Sequence, residues 1–335
     1  MEGRELLLRH VLILMATYNG ERYLRAQLDS ILAQTHVDWV LLVRDDGSSD
    51  ATISILEAYK AKDSRIEFTV NTTGPHGAFL NFHALIRMAK ARADLYDAFA
   101  FCDQDDQWHP KKLERMLDRM GGSSPEPLMA YSDFSTMDES GNILVKSQQR
   151  LSDMRVRGRV DGLFLRKVWG CTMLINRALL VKVPSTPKKN ESILAHDVYF
   201  EVYAMLYGRA LYVEDPLVLY RRHGGNVSML YNDLQRPNLI RKLADFTAYS
   251  SRLAQAFMLS ESILEEILTF DPGNVLAQKA KRAICRGGFG AVLFCMRNQV
   301  SCGRIYKTAA LYAALAMGSY KPYLDTQRAG VDIAS

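Results

Sequence analysis

With 335 residues, 48% of them hydrophobic and 24% charged, the chain can bury a real core as one large or two modest globular domains. A net charge of +5 and a pI near 8.8 fit an anionic substrate or membrane surface without calling for nucleic acid. Cys102, Cys171, Cys285, Cys295 and Cys302 form neither paired metal-ligand spacings nor a compact disulfide framework, and read as reduced thiols in the cytosol.

The amino terminus, Met1-Glu-Gly-Arg-Glu5, is too acidic, and its apolar run too short, for a secretory signal. No apolar segment reaches the roughly 20 residues that cross a bilayer, so a soluble or peripheral protein is expected. Residues 10–16 form an apolar β-type run that ends in the turn Thr17-Tyr-Asn-Gly20. A helix over 21–34 follows, with Tyr23, Leu24, Leu28, Ile31 and Leu32 at helical spacing. A second strand over 39–43 stops at Arg44-Asp-Asp-Gly-Ser-Ser-Asp50, where Ser49 or Asp50 can cap a helix running to about residue 62. A third strand, 66–70, and a helix over 78–91 lead to a fourth strand over 95–102.

That fourth strand ends abruptly in Asp103, Gln104, Asp105 and Asp106 before Trp108, His109 and Pro110 open the next helix. A buried strand thus delivers carboxylates to its carboxyl end, where open α/β sheets bind ligands. Like charges a few ångströms apart repel by about 1 to 4 kcal/mol even in wet surroundings, so a cation is expected among them. A hard divalent ion, Mg²⁺ or Mn²⁺, completed by phosphate and water, suits such oxygens. The alternative is a solvated acidic turn.

Further along, the pattern predicts a helix over 110–120, a strand over 128–133 and a strand over 168–176. It predicts a helix over 192–207 with His196 and Asp197 in its first turns, then two short strands, 211–213 and 217–220, before Arg221-Arg-His-Gly-Gly-Asn226. Residues 135–165 are polar and give no clear element. Past residue 237 only helices are predicted. Alternation of strand and helix implies a parallel, doubly wound sheet whose strand-end loops share one edge. Asn19, Asp45, Asp46 and the Asp103 cluster are then expected to face one crevice. The tail over 279–328 interleaves Lys279, Lys281, Arg282, Arg286, Arg297, Arg304, Lys307 and Lys321 with large apolar residues. This reads equally as a helix lying on an anionic membrane and as a helical subdomain with a solvated basic face.

Taken in order, Met15-Ala-Thr-Tyr-Asn-Gly20, Asp45-Asp-Gly-Ser-Ser-Asp50, Cys102-Asp-Gln-Asp-Asp-Gln-Trp108, His196-Asp197 and His223-Gly-Gly-Asn226 resemble the family 2 glycosyltransferases. Over roughly residues 10–230 they look most like its bacterial rhamnosyltransferase-like branch, which builds surface polysaccharide. The resemblance implies a GT-A fold, α/β with a mostly parallel sheet and helices on both faces, over residues 1–235. A helical region, with membrane contact as one reading, would occupy 236–335. It implies inverting transfer of a sugar from a nucleoside-diphosphate donor, dTDP or UDP, rhamnose being one candidate, to a glycan or lipid-linked acceptor at the inner face of the membrane.

By the same resemblance Asp46, with Asp45 close behind, would touch the nucleoside; Thr17 and Asn19 can hydrogen-bond the donor, and Gly77 with Asn81 matches a further donor element. Asp105 would be the first metal ligand, Asp103 would reach the ribose or the ion, and His223 would complete the coordination or hold the leaving diphosphate. Asp197 matches the position of the catalytic base, with His196 orienting it, and Trp169, Thr172 and Met173 are acceptor-site candidates. A catalytically silent sugar-nucleotide scaffold keeps the same pocket. A sugar nucleotidyltransferase would need a basic, glycine-rich loop after the first strand, and Thr17-Tyr-Asn-Gly20 is not one.

Overall fold

Strand β1 (Val11–Thr17) is buried along almost its whole length, as a strand with parallel neighbours on either side and helices above and below must be. The computed structural model describes residues 10–150, 153–189, 192–224, 226 and 239–328. The first five residues and the expected boundary at 235/236 lie outside them. After β1 come α1 (Leu24–Leu32), β2 (Trp39–Asp45), α2 (Thr52–Lys62), β3 (Ile66–Val70), α3 (Ala78–Ala91) and β4 (Ala98–Asp103). Then follow β5 (Gln107–Trp108), α4 (Lys112–Met120), β6 (Leu128–Met137), β7 (Ile143–Val145), α5 (Asp161–Phe164) and β8 (Met173–Asn176). The helices α6 (Arg177–Lys182) and α7 (His196–Tyr207) precede β9 (Arg209–Arg221). Only helices follow: α8 (Leu239–Phe270), α9 (Val275–Arg286), α10 (Gly288–Arg297), α11 (Ile305–Met317) and α12 (Lys321–Arg328).

The strands form one sheet in the order β3-β2-β1-β4-β8-β6-β9-β5, with β7 on β6. From β3 to β4 every pairing is parallel, the doubly wound half that the alternating pattern predicts. Beyond β4 the sheet is mixed. Strand β8 runs antiparallel to both β4 and β6, so β4, α4 and β6 make a crossover whose one-strand gap β8 fills from the opposite direction. Alternation of elements foretells the crossover but not the strand slotted into it.

Several predicted elements differ in extent: α1 is shorter, β4 starts at Ala98 after a 3₁₀ turn over Ala93–Leu95, β6 runs on to Met137 and α7 starts at His196. The last two strands of the chain change for local reasons. Strand β8 begins at Met173, because Gly170–Thr172 forms a tight turn in which Thr172 donates both its N–H and its hydroxyl to Trp169 O at 2.8 Å. The two short strands expected near the end of the sheet are one strand, β9. Its register against β6 shifts where Pro216 faces Asp133; a proline lacks the N–H that a ladder uses, yet the chain stays extended through the irregularity.

The chain separates into two compact units. The first comprises Met1–Arg150, Val168–Thr186 and Glu191–Val227, and carries the whole sheet. The second comprises Leu151–Lys167, Pro187–Asn190 and Ser228–Ser335. Its core is aromatic: Phe257 of α8 meets Phe164 at 5.6 Å and Tyr320 at 4.8 Å, both edge to face. Among the described residues no helix is long and apolar enough to cross a membrane.

Candidate functional site

The carboxyl ends of β1 and β2 are tied together by side chains rather than left open. Asp45, the last residue of β2, is fully buried. Its Oδ1 accepts the N–H groups of Gly47 and Ser48 at 3.0 and 2.8 Å, and its Oδ2 accepts the hydroxyls of Thr17 and Ser48 at 2.9 and 2.5 Å. Gly47 makes that turn with φ +83, a conformation glycine adopts without strain. Asp46 is also buried; it accepts from Asn71 Nδ2 at 2.8 Å and from the N–H of Gly77, at the start of α3, at 2.7 Å. Asn81 reads Arg44 twice, donating to its carbonyl at 2.9 Å and accepting its guanidinium at 2.7 Å. Asn19, at φ +45, accepts the N–H of Ser49 at 2.9 Å.

All five residues nominated for donor contact on β1, β2 and α3 therefore share one strand-end network. Its geometry makes Asp45 a loop-builder with its acceptor capacity already used. The N-cap position of α2 is Ala51, not Ser49 or Asp50, and its side chain makes no cap hydrogen bond; Asp50 Oδ1 accepts the Thr52 N–H at 2.9 Å, while the Ser49 N–H goes to Asn19.

Sequence reasoning passed over the residue that links this network to β4. The Gln104 amide pairs with both backbone groups of Tyr18, at 2.9 Å each. Gly20 leaves room for it, since a Cβ there would lie 2.3 Å from Gln104 Oε1.

The acidic block behind Gln104 is held from the far end of the sheet. His223 Nε2 lies 2.6 Å from Asp105 Oδ2. Two residues earlier, Arg221 donates its Nε to the Asp105 carbonyl at 2.9 Å and its backbone N–H to Asp106 Oδ1 at 3.1 Å. Arg221 was not singled out from the sequence; its place beside the His223 motif was the available signal. Asp106 is fully buried, its Oδ2 has no hydrogen-bond partner, and the Cys171 thiol lies within 4.8 Å of its carboxyl. Below it Lys112, also fully buried, donates to the Cys171 carbonyl at 2.6 Å and sits 3.5 Å from the centre of the Trp108 ring.

Crowding and desolvation show in the protonation of these groups. Burial first, then the charges of Asp105 and Asp197, push Asp103 up to about 7, against the pull of Lys112. Burial and the neighbouring carboxylates hold Asp106 well above the usual carboxylate range. Burial draws Lys112 down to about 8.

Asp197 arrives from a different direction. It stands in the first turn of α7, where the helix dipole favours a negative charge, and its Oδ2 accepts the Gly170 N–H at 3.2 Å. Its partner Gly170 adjoins Cys171, whose ligand atom lies within 4.8 Å of those of Asp103 and Asp106, so these carboxylates border one region. The preceding His196 is buried and without a hydrogen bond. Its ring stacks on Phe101 at 4.7 Å and lies 4.0 Å from Phe82, and burial lowers its pKa to about 3.

Gly170 is pressed between these two residues: a Cβ there would lie 2.5 Å from His196 Nε2. The orienting group that touches Asp197 is thus the Gly170 amide, with His196 behind it. Of the acceptor candidates, Thr172 and Met173 are fully buried core residues, whereas Trp169 is partly exposed and packs edge-on against Phe134 and Tyr220.

The donor set suits a hard divalent cation. Asp103, Asp105 and Asp106 offer carboxylate oxygens and His223 an imidazole, and ligand atoms of Asp103, Asp106 and Cys171 lie within 4.8 Å of one another. The raised proton affinity of Asp103 has the same cause, several carboxylates in little water, that a bound cation relieves.

Known proteins resemble this chain to different extents. A dTDP-rhamnosyl transferase of Shigella flexneri, RfbG, is 29% identical over 220 residues, 63% of this chain and 72% of the relative. An uncharacterized glycosyltransferase of Rickettsia typhi is 28% identical over 193 residues, 57% of this chain and 58% of that protein, so the chain spans little more than half of that relative's length. Among solved structures, a mannosyltransferase from Pyrobaculum calidifontis in complex with GDP-Man and Mn²⁺ superposes with a TM-score of 0.50 at 16% identity. That match covers 94% of this chain and 87% of the other, and the likeness is one of fold. The sequence model described as Glycosyl transferase family 2 matches residues 12–179, which span β1, β2, β4 and the whole acidic block. On that match the chain belongs to glycosyl transferase family 2.

Proposed function

We propose that the protein transfers a sugar, with inversion at the anomeric carbon, from a nucleoside-diphosphate donor to a hydroxyl of a cell-surface polysaccharide or lipid-linked glycan precursor. The observation that supports this reading is that Asp197 accepts the Gly170 N–H next to Cys171, while ligand atoms of Cys171, Asp103 and Asp106 lie within 4.8 Å of one another, so a carboxylate from α7 and carboxylates from the end of β4 border one region. An inverting transfer needs that pairing: one group to receive the acceptor's proton and, across the sugar, a cradle for the departing diphosphate.

In this scheme Asp197 takes the proton of the acceptor hydroxyl as its oxygen bonds to the anomeric carbon and the bond from that carbon to the diphosphate oxygen breaks. The Gly170 amide keeps the carboxylate aimed. Asp105, Asp103 and His223 would hold Mg²⁺ or Mn²⁺, which when bound supplies positive charge for the leaving diphosphate. Thr17, Asn19, Asp46 and Asn81 shape the edge that receives the nucleoside. The likeness to the Shigella relative favours a dTDP-rhamnose donor, with UDP-hexoses the next to try, and a lipid-linked acceptor puts the reaction at the cytoplasmic face of a membrane.

The test is a panel of dTDP-, UDP- and GDP-sugars incubated with the purified protein and Mg²⁺ or Mn²⁺, scored by release of the nucleoside diphosphate. One donor should be turned over well above the rest, and only with metal present. Donor binding without any release, in the presence of a broad acceptor set, would point instead to a silent scaffold.

A further inference from the structure

We propose that the α10–α11 hairpin of the second unit is a docking surface for an anionic lipid bilayer. The inference deepens the membrane-side reading above and rests on it only for where the acceptor lies.

The hairpin buries one face and leaves the other apolar. Ala291 and Cys295 turn inward from α10, and Leu311, Ala314 and Leu315 from α11. Outward, Phe289 is 81% exposed and Ile305 92%, and Leu293, Met296, Tyr306 and Met317 are each more than half exposed. Phe289, Leu293 and Met296 recur at helical spacing and so share one side of α10. The helices run antiparallel, because Gly287, at the start of α10, abuts Leu315 and Gly318 at the end of α11. Phe289 and Met317 therefore lie at one end of the hairpin, and Met296, Ile305 and Tyr306 at the other. Soluble proteins seldom leave so many large apolar side chains together on one short element.

Charge selects the occupant. From residue 275 to residue 328 the sequence has nine lysines and arginines and a single carboxylate, Asp325. Arg282, Arg286 and Arg297 are exposed, with no acidic partner among the described residues. Exposed apolar side chains flanked along the chain by unpaired cations, Arg286 before Phe289 and Arg297 after Met296, match the boundary between acyl chains and anionic headgroups. A second copy of the chain would set cations against cations, so the same charges oppose self-association through this face.

The full chain is floated with vesicles of phosphatidylcholine alone and of phosphatidylcholine mixed with phosphatidylglycerol, at low and high salt. It should bind the anionic vesicles only, and less tightly at high salt. Arg286→Glu with Arg297→Glu should weaken binding by roughly fivefold or more for each charge. Phe289→Ser with Leu293→Ser should weaken it by roughly tenfold or more. Should that pair unfold the hairpin, as a thermal melt would show, Met296→Ser with Tyr306→Ser replaces it.

Donor turnover by all variants in detergent-free buffer should match the parent, so a failed glycosyl-transfer reading and a failed docking reading give different results. Absence of binding to anionic vesicles, equal binding by parent and variants, or a patch-dependent dimer in sedimentation would each overturn the proposal.

Discussion

His223 Nε2 stands 2.6 Å from Asp105 Oδ2 across 118 residues of sequence, joining the last strand of the sheet to the loop that leaves β4. Arg221 beside it grips the same loop through the Asp105 carbonyl and the Asp106 carboxylate. The acidic block is therefore oriented by the carboxyl end of β9 and not by its own short turn. Replacing His223 by Ala should lower Mn²⁺ affinity, read by titration calorimetry, and donor turnover by about 10- to 100-fold each. The imidazole is 16% exposed and pairs with Asp105, so the metal-free protein should also lose about 1 to 3 kcal/mol of stability, read by denaturant titration.

Asp197→Asn removes the proposed proton acceptor while keeping the shape and the Gly170 contact. Turnover should fall by about 10²- to 10⁴-fold, with the donor dissociation constant unchanged because the residues proposed for the nucleoside and diphosphate are others. Near-parental transfer by this variant would remove Asp197 from the chemistry.

Asp45→Asn tests whether the strand-end network is built as the contacts imply. The carboxylate accepts four donors; an amide turns one oxygen into a donor facing other donors. The expected cost is about 1 to 3 kcal/mol of folding stability, measured by denaturant titration, together with weaker donor binding because the Gly47–Ser48 turn loosens.

What could be read from the chain beforehand follows the range of the interactions. Strands β1, β2 and β4 were legible because each is an apolar run stopped by polar residues, as burial on both faces demands, while the half-buried edge strand β3 was legible from its β-type residues between polar segments. Asp103, Asp105, His223 and Asp197 stood out because charged groups at strand and helix ends need a reason to be there. The insertion of β8, the grip of Arg221 and the wedge of Gly170 between His196 and Asp197 depend on which distant elements become neighbours. No local pattern encodes that. The Asp45–Asp46 pair shows the same limit, since both were visible while the four donors that occupy Asp45 were not.

Gly170→Ala should separate positioning from folding. The added methyl would come within 2.5 Å of His196 Nε2, and Phe101 and Phe82 leave that ring little room to move. A strain of about 1 to 3 kcal/mol is expected, and the displaced amide should reduce kcat more than it raises KM. Pairing it with His196→Ala, which removes the obstructing ring, should recover part of the turnover.

His196 also sets a pH signature. Its folded pKa is lowered to about 3 from an ordinary 6.5 by burial. Above pH 6.5 the ring is neutral in both states and costs nothing. As pH falls below that value the unfolded chain takes up a proton that the folded one refuses, so stability is lost at about 1.4 kcal/mol per pH unit until the folded pKa is reached. Asp103 works in the opposite sense: raised to about 7, it favours the folded state at low pH and loses that contribution as pH climbs through 7. Subtracting one protein from another isolates the histidine. At pH 8 the difference between His196→Leu and the parent sets lost packing against relief of two buried, unbonded ring nitrogens, and it should move in the variant's favour by about 1.4 kcal/mol for each unit of acidification below 6.5. Denaturant titrations of both proteins at pH 8, 6 and 5 measure it, and a gap that stays constant would mean that the ring is solvated.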